Sequence, residues 1–123
     1  MSTIEAVVKI HVTQQDIDDI MVAALEGGIG YWCRKAEVIG DYLGEYASEQ
    51  ISRDGQLRLY DHDGVGHYVL SKPRLLYGLK RYIEEGTSGN QLIYEGAIDT
   101  ANIDADIADC IIQYALFGKL VYA

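Results

Sequence analysis

The sequence predicts an α+β domain, in which about three helices pack on a mostly antiparallel sheet. Apolar residues recur at helical spacing after Thr13, Ser71 and Asp104, and each of these three is a side chain that commonly caps a helix. An alternating pattern on both sides of residues 61–66 predicts a β-hairpin. With one proline in 123 residues, the chain is expected to form a single compact domain over 1–123.

The first element predicted is a strand over residues 5–12, EAVVKIHV, because the segment alternates and is rich in valine. Three residues share one face of this strand: Val7, Lys9 and His11. Thr13 then caps a helix that is expected to end at Gly27-Gly28, where glycine accepts the left-handed conformation. Residues 31–39 follow as a second strand or an irregular extended segment.

The hairpin and the second helix are predicted next. Residues 56–60 and 67–70 form the two strands, and the Asp- and Gly-rich residues 61–66 form the turn between them. Ser71, followed by a lysine and the proline, begins a helix that Gly86 is expected to end.

The last third of the chain begins with a long polar connection over residues 87–103. Connections of this length in a compact domain are often functional. Asp104 caps a final helix that Gly118 ends, and residues 119–122 are predicted to add a closing strand.

Composition excludes several classes of function. The net charge of −9 argues against binding of DNA or RNA polymers and against an anionic membrane surface. A small phosphorylated ligand stays possible, because a few arginines are enough to hold it. The chain has neither an apolar run long enough to cross a bilayer nor a signal peptide, so we expect a cytoplasmic protein with Cys33 and Cys110 as free thiols.

Catalytic and metal motifs are weak. The glycines at 27–30 follow a helix instead of opening one, so they do not form a phosphate loop. His62 and His67 flank a short turn and lack a standard zinc spacing. The three histidines, His11, His62 and His67, lie in the predicted first strand and in the hairpin, and none lies in residues 24–54, so no pattern points to a nucleophile with a partner histidine. We therefore expect no metal, no cofactor and no enzymatic activity.

A binding site is better supported. Trp32 and Arg34 alternate with Cys33, so in an extended chain they would point to one side and combine a stacking surface with a phosphate ligand. Arg53 and Arg58 are the nearest further cations. The alternative is that Trp32 belongs to the core and the arginines pair with acidic residues.

A second candidate site is the 87–103 connection with the start of the last helix. Its amide side chains would bind polar or anionic groups of a ligand, and they are Asn90, Gln91 and Asn102. Tyr82, just before the connection, would add a stacking surface.

Three segments carry a resemblance to a known family: ALEGGIGYWC, GDYLGEYASEQISRDGQLRLYD and IDADIADCIIQYALFGKLVY. They resemble small phage and prophage proteins, the first-described type of Thoeris anti-defence protein. The resemblance implies a sponge that sequesters cyclic ADP-ribose isomers made by bacterial TIR-domain proteins without degrading them. Related members also capture the cyclic oligonucleotides of CBASS defence. It also implies homo-oligomers built from dimers, with pockets between protomers.

Two alternatives stay open at this point. One is a phage inhibitor that binds a protein, such as an anti-CRISPR protein whose acidic face mimics nucleic acid. The other is a small hydrolase of the same cyclic nucleotide.

Overall fold

The computed structural model describes residues 1–85 and 92–123, and within them it shows the predicted α+β architecture. The helices are α1 (Gln14–Ala23), α2 (Lys72–Glu85) and α3 (Ala105–Phe117). The strands are β1 (Cys33–Ile39), β2 (Gln56–Asp61), β3 (His67–Leu70), β4 (Ile93–Tyr94) and β5 (Ala97–Ile98). Strands β1, β2 and β3 form one antiparallel sheet in that order, and β4 and β5 form a separate antiparallel hairpin.

The predicted central hairpin is confirmed as β2 and β3. Its register places Leu57 opposite Leu70 and Leu59 opposite Tyr68, so the apolar side chains share the inner face of the sheet. All three leucines are fully buried. Gly64 has a φ of 71°, a conformation that favours glycine over other residues, and its N–H donates to the Asp61 carbonyl to close the turn.

All three predicted helix starts are confirmed, and α2 begins directly after Ser71. Thr13 and Asp16 form a reciprocal capping box at α1, with N–H to side-chain oxygen distances of 2.9 and 3.1 Å. Asp104 accepts from the Ile107 N–H at 2.8 Å, and Gly118, with a φ of 70°, ends α3. The predicted end of α2 at Gly86 lies outside the described residues.

The end of α1 differs from the prediction. The chain does not stop at a left-handed glycine but continues as a wider π-helical turn over Ala24–Gly28. Gly28 allows this turn to pack against α3, since a Cβ at position 28 would collide with the Ala105 carbonyl. The glycine therefore serves close packing of two helical segments.

Neither predicted terminal strand forms. In residues 5–12 the structure has a single parallel bridge, between His11 and Ala97. Residues 119–122 form no strand; the N–H groups of Val121 and Tyr122 donate to the Gln113 side chain. A strand needs a neighbour along its length to satisfy its backbone, and apart from the one bridge to β5 neither segment pairs with a described strand.

The core lies between the inner face of the sheet and the helices. Helix α2 packs on α3, with Leu75, Leu79 and Ile111 buried between them. Leu76, the neighbour of Leu75 in sequence, is exposed. Among the described residues, no helix combines the length and the apolar character needed to cross a lipid bilayer.

Candidate functional site

Trp32 is a core residue in this structure. Only 2 % of its surface is exposed, and its indole N–H donates to Asp109 Oδ1 at 2.8 Å. The ring stacks on Tyr122 with 4.9 Å between centroids and 2° between planes. This placement agrees with the alternative in which Trp32 packs in the core, and it leaves almost no free ring surface for a ligand.

Asp109 and Gln113 form a polar cluster around Trp32. Asp109 also accepts from the Tyr31 hydroxyl at 2.6 Å and from Gln113 Nε2 at 3.0 Å. Burial, together with the hydrogen bond to Asp109, raises the pKa of Tyr31 to about 12. Gln113 Oε1 accepts from the backbone N–H groups of Val121 and Tyr122 at 2.7 and 2.8 Å, so the cluster holds the C-terminal segment against α3.

Sequence reasoning missed this cluster, although a signal was present. Asp109 and Gln113 are polar residues four apart in a mostly apolar helix, so they share one face. Both are buried, and buried polar groups need partners. The cluster is thus a structural feature of the fold.

Two shallow cavities flank this cluster. One, of about 220 Å³, lies against the hairpin turn and includes Asp61 and Asp63 in its lining. The other, of about 340 Å³, includes Asp106 and Asp109. Because carboxylates repel phosphate groups, neither cavity suits a phosphorylated ligand.

The outer face of the three-stranded sheet is basic, whereas the two cavities are acidic. Arg58 and Tyr60 alternate with the buried leucines of β2, and Lys35 and Glu37 lie opposite them on β1. Arg34 lies where the register of β1 shifts, and its guanidinium carbon is 5.9 Å from the centre of the Tyr60 ring. The Lys35 ammonium is 5.6 Å from the same ring. We call Arg34, Lys35, Arg58 and Tyr60 the basic sheet face.

The cations of the basic sheet face are only partly neutralised. Glu37 is the acidic residue on the outward side of β1 and β2, and it lies 3.2 Å from Lys35 but 3.9 Å from Arg58. No carboxylate in residues 1–85 or 92–123 lies within ion-pair distance of Arg34. The hydrogen bonds from Lys35 and Tyr60 lower the pKa of Glu37. An anionic ligand would therefore find two arginines that are available for new contacts.

The structure thus brings together Arg34 and Arg58, while the other predicted residues lie elsewhere. Arg53 precedes β2 and pairs with Glu49 at 3.4 Å. Tyr82 is buried on α2, and Asn102 lies in the 3₁₀ turn before α3, where its side chain donates to Asp99 at 3.2 Å. The remaining two, Asn90 and Gln91, lie outside the described residues.

Two polar residues in the loop between β1 and β2, Gln50 and Ser52, form hydrogen bonds within the protein. Gln50, which is 1 % exposed, accepts from the Leu43 N–H and donates to the Asp41 carbonyl, both at 3.1 Å. Ser52 donates to Asp18 on α1 at 2.6 Å. These bonds fix the loop between β1 and β2 against the first helix.

The described part of the chain shows little reactive chemistry. It contains no group of three or more His, Cys, Asp or Glu residues that could hold a metal ion. Cys33 and Cys110 are free, and burial raises the pKa of both thiols, which disfavours the reactive thiolate. His62 is occupied by a contact of 3.1 Å to the Gly30 carbonyl.

Comparison with known proteins gives no relative: no protein-family model, no curated protein and no solved structure matches the chain.

Proposed function

We propose that the protein is a non-enzymatic sponge that binds cyclic ADP-ribose isomers in the cytoplasm of a bacterial host and so blocks Thoeris signalling. The observation that carries the proposal is the basic sheet face, where Arg34 lies against the Tyr60 ring and Arg58, two residues before Tyr60 on β2, is 3.9 Å from Glu37. The resemblance to Thoeris anti-defence proteins supplies the ligand class. Cyclic oligonucleotides of CBASS defence are the related ligands to test beside it.

The chemistry of the face suits a ligand with two phosphates and a base. Arg34 and Arg58 would each pair with a phosphate, because guanidinium groups bind phosphate oxygens through two parallel hydrogen bonds. Tyr60 would supply the stacking surface that the sequence assigned to Trp32. The raised thiol pKa values of Cys33 and Cys110 favour capture over covalent catalysis.

The face is open, and tight capture needs a desolvated pocket. In the proposed assembly a second protomer covers the sheet face, as the resemblance to dimer-based oligomers implies. The acidic cavities near Asp61 and Asp109 take no part in binding.

A capture-and-release experiment tests the proposal. The protein is incubated with cyclic ADP-ribose isomers, filtered, washed and denatured by heat, and the released nucleotide is identified. Intact ligand supports the sponge, whereas altered ligand indicates a hydrolase. Absence of retention overturns the proposal and favours the protein-binding inhibitor.

Substitution of the two arginines locates the site. Arg34→Ala and Arg58→Ala are each expected to weaken capture roughly tenfold to a hundredfold, because a hydrogen bond to a charged group contributes about 1.5–3 kcal/mol. Equilibrium dialysis of the same ligand measures the effect. Arg74→Ala is the matched control, since Arg74 is an exposed arginine on α2 and its loss changes the net charge equally.

Equal affinities of the Arg34→Ala, Arg58→Ala and Arg74→Ala variants would exclude the sheet face as the site. Thermal denaturation of each variant shows whether it is still folded. Both substitutions remove exposed or half-exposed side chains, so the melting temperature is expected to stay unchanged.

A further inference from the structure

Residues 1–10 have no assigned helix or strand, and none of them forms a bridge with a described strand. Ile4 and Val8 are 88 % and 70 % exposed, and Val7 is fully exposed. The first backbone hydrogen bond along the chain runs from the His11 N–H to the Gly96 carbonyl, at 2.8 Å. A valine-rich segment with exposed apolar side chains and open backbone groups is a template for pairing with another strand.

The direction of the segment carries it away from the small hairpin. The bridge between His11 and Ala97 is parallel, so the residues before His11 run back toward the turn at Glu95–Gly96. Lys9 is already at this turn, since its carbonyl oxygen lies 3.8 Å from where a Cβ on Gly96 would be. No backbone hydrogen bond or bridge joins residues 1–8 to the described β4–β5 hairpin.

The sequence of the segment is complementary to itself in antiparallel orientation. If two copies pair with Val7 opposite Val7, Glu5 of each copy lies opposite Lys9 of the other. The pairing forms two symmetry-related ion pairs, as expected for an isologous dimer interface. A parallel, in-register pairing would instead place Glu5 against Glu5 and Lys9 against Lys9.

Such a ribbon would have one polar face and one apolar face, as a half-buried strand does. The polar face carries the Glu5 and Lys9 pairs. The other face is apolar throughout: Ile4, Ala6, Val8 and Ile10. In the structure Ile10 and Val12 already pack against the hydrophobic core, so the apolar face of the segment is continuous with the interior of the protein.

We propose that residues 3–11 pair with the same residues of a second copy as a two-stranded antiparallel ribbon centred on Val7. The partner is a second copy of this chain, because the segment is complementary to itself in charge and in pattern. The ribbon satisfies the open backbone groups of both segments and removes their apolar side chains from water. This interface is independent of the basic sheet face, so the failure of ligand capture would not affect it.

Charge reversal tests the register. Sedimentation of the full chain at low salt is expected to show a dimer that weakens roughly tenfold on Lys9→Glu or on Glu5→Lys, because two attractive cross-strand pairs become repulsive. The double variant Glu5→Lys/Lys9→Glu restores the opposite charges and is expected to recover the wild-type dissociation constant. A double variant weaker than both single variants would overturn the proposed register, and a monomeric wild type would overturn the interface.

A disulfide provides a second test that does not depend on charge. Val7→Cys in a Cys110→Ser background is expected to form a covalent dimer under mild oxidation, since the two introduced thiols would meet at the two-fold axis. Ser2→Cys in the same background is the control, because its register partner is residue 12 and not itself. Equal cross-linking of the two variants would contradict the pairing.

Discussion

At the scale of single residues, Asp109 is a buried acidic residue held by several hydrogen bonds. Its carboxylate belongs to a residue that is 7 % exposed, and it accepts from three side chains, Tyr31, Trp32 and Gln113. None of these three donors carries a positive charge, so hydrogen bonds alone compensate the burial of Asp109.

Replacing Asp109 with alanine is therefore expected to destabilise the protein by about 3 kcal/mol, because the buried indole N–H of Trp32 loses its acceptor and Gln113 loses one of the three acceptors of its Nε2. Urea denaturation measures the change in the free energy of unfolding. Asp106→Ala, one turn earlier and exposed, is the control and is expected to cost a few tenths of a kcal/mol, roughly the value of a charge near a helix N-terminus. Equal losses of unfolding free energy in the two variants would show that the hydrogen bonds of the buried cluster do not stabilise the fold.

Tyr31 gives the protein a pH dependence on the alkaline side. Its pKa is raised from 10.0 to about 12 in the folded state. Below pH 10 the phenol is protonated in both states, and its contribution to stability is fully present. Between pH 10 and about 12 the unfolded chain loses this proton while the folded chain keeps it, so stability is lost as the pH rises.

The Tyr31→Phe variant is expected to show a shallower loss of stability in this alkaline range than the wild type. Thermal melts at a series of pH values measure the difference. Tyr122, whose pKa burial also raises, stays in both proteins and serves as the internal reference. Parallel stability curves would contradict the assignment to Tyr31.

At the scale of elements, the contact between α2 and α3 depends on Gly78. A Cβ at this position would collide with the Ile111 carbonyl and would lie 2.7 Å from the Ala115 Cβ. Both neighbours belong to the opposite helix, and the carbonyl is backbone that cannot rotate away. The absence of a side chain at Gly78 therefore sets how closely the two helices approach.

Gly78→Ala is expected to destabilise the protein by about 1–3 kcal/mol, the usual cost of overpacking, even though alanine is the better helix former by about 1 kcal/mol. Chemical denaturation measures the loss. Gly30→Ala is the matched control, since a Cβ at position 30 would meet no atom within 4 Å. A Gly78→Ala variant as stable as Gly30→Ala would mean that the helices separate without cost.

At the scale of the whole molecule, the fold was predictable where its signals are local. The capping box of Thr13 and the caps at Asp104 and Gly118 each depend on a few neighbouring residues, and all three form as expected. The hairpin turn is equally local. The segments at 5–12 and 119–122 were mispredicted as strands of the sheet, because a strand also requires a neighbour that periodicity cannot identify.

The candidate site was less predictable for a related reason. Trp32 and Arg34 were expected on one side of an extended strand, but the Trp32 and Cys33 N–H groups donate to the Ile29 carbonyl in a turn. This turn directs the indole into the core while Arg34 remains exposed. Tyr60 was absent from the predicted site, although its spacing of two residues from Arg58 in a predicted strand already placed both on one face.

Charge is distributed unevenly over the molecule. The net charge of −9 coexists with a sheet face on which Arg34, Lys35 and Arg58 meet a single described carboxylate, that of Glu37. Physiological salt screens the electrostatic effect of acidic residues more than about 8 Å away. The electrostatic potential at the sheet face is therefore set mainly by its own arginines.

The stacking of Trp32 on Tyr122 has a spectroscopic consequence. Trp32 is the only tryptophan, and it lies in a dry environment between the polar cluster and the C-terminal segment. Its fluorescence therefore reports whether that segment is seated on α3. A ligand at the proposed site on the basic sheet face would touch a different surface. The emission of Trp32 should therefore change when the fold is lost and stay unchanged when the ligand binds.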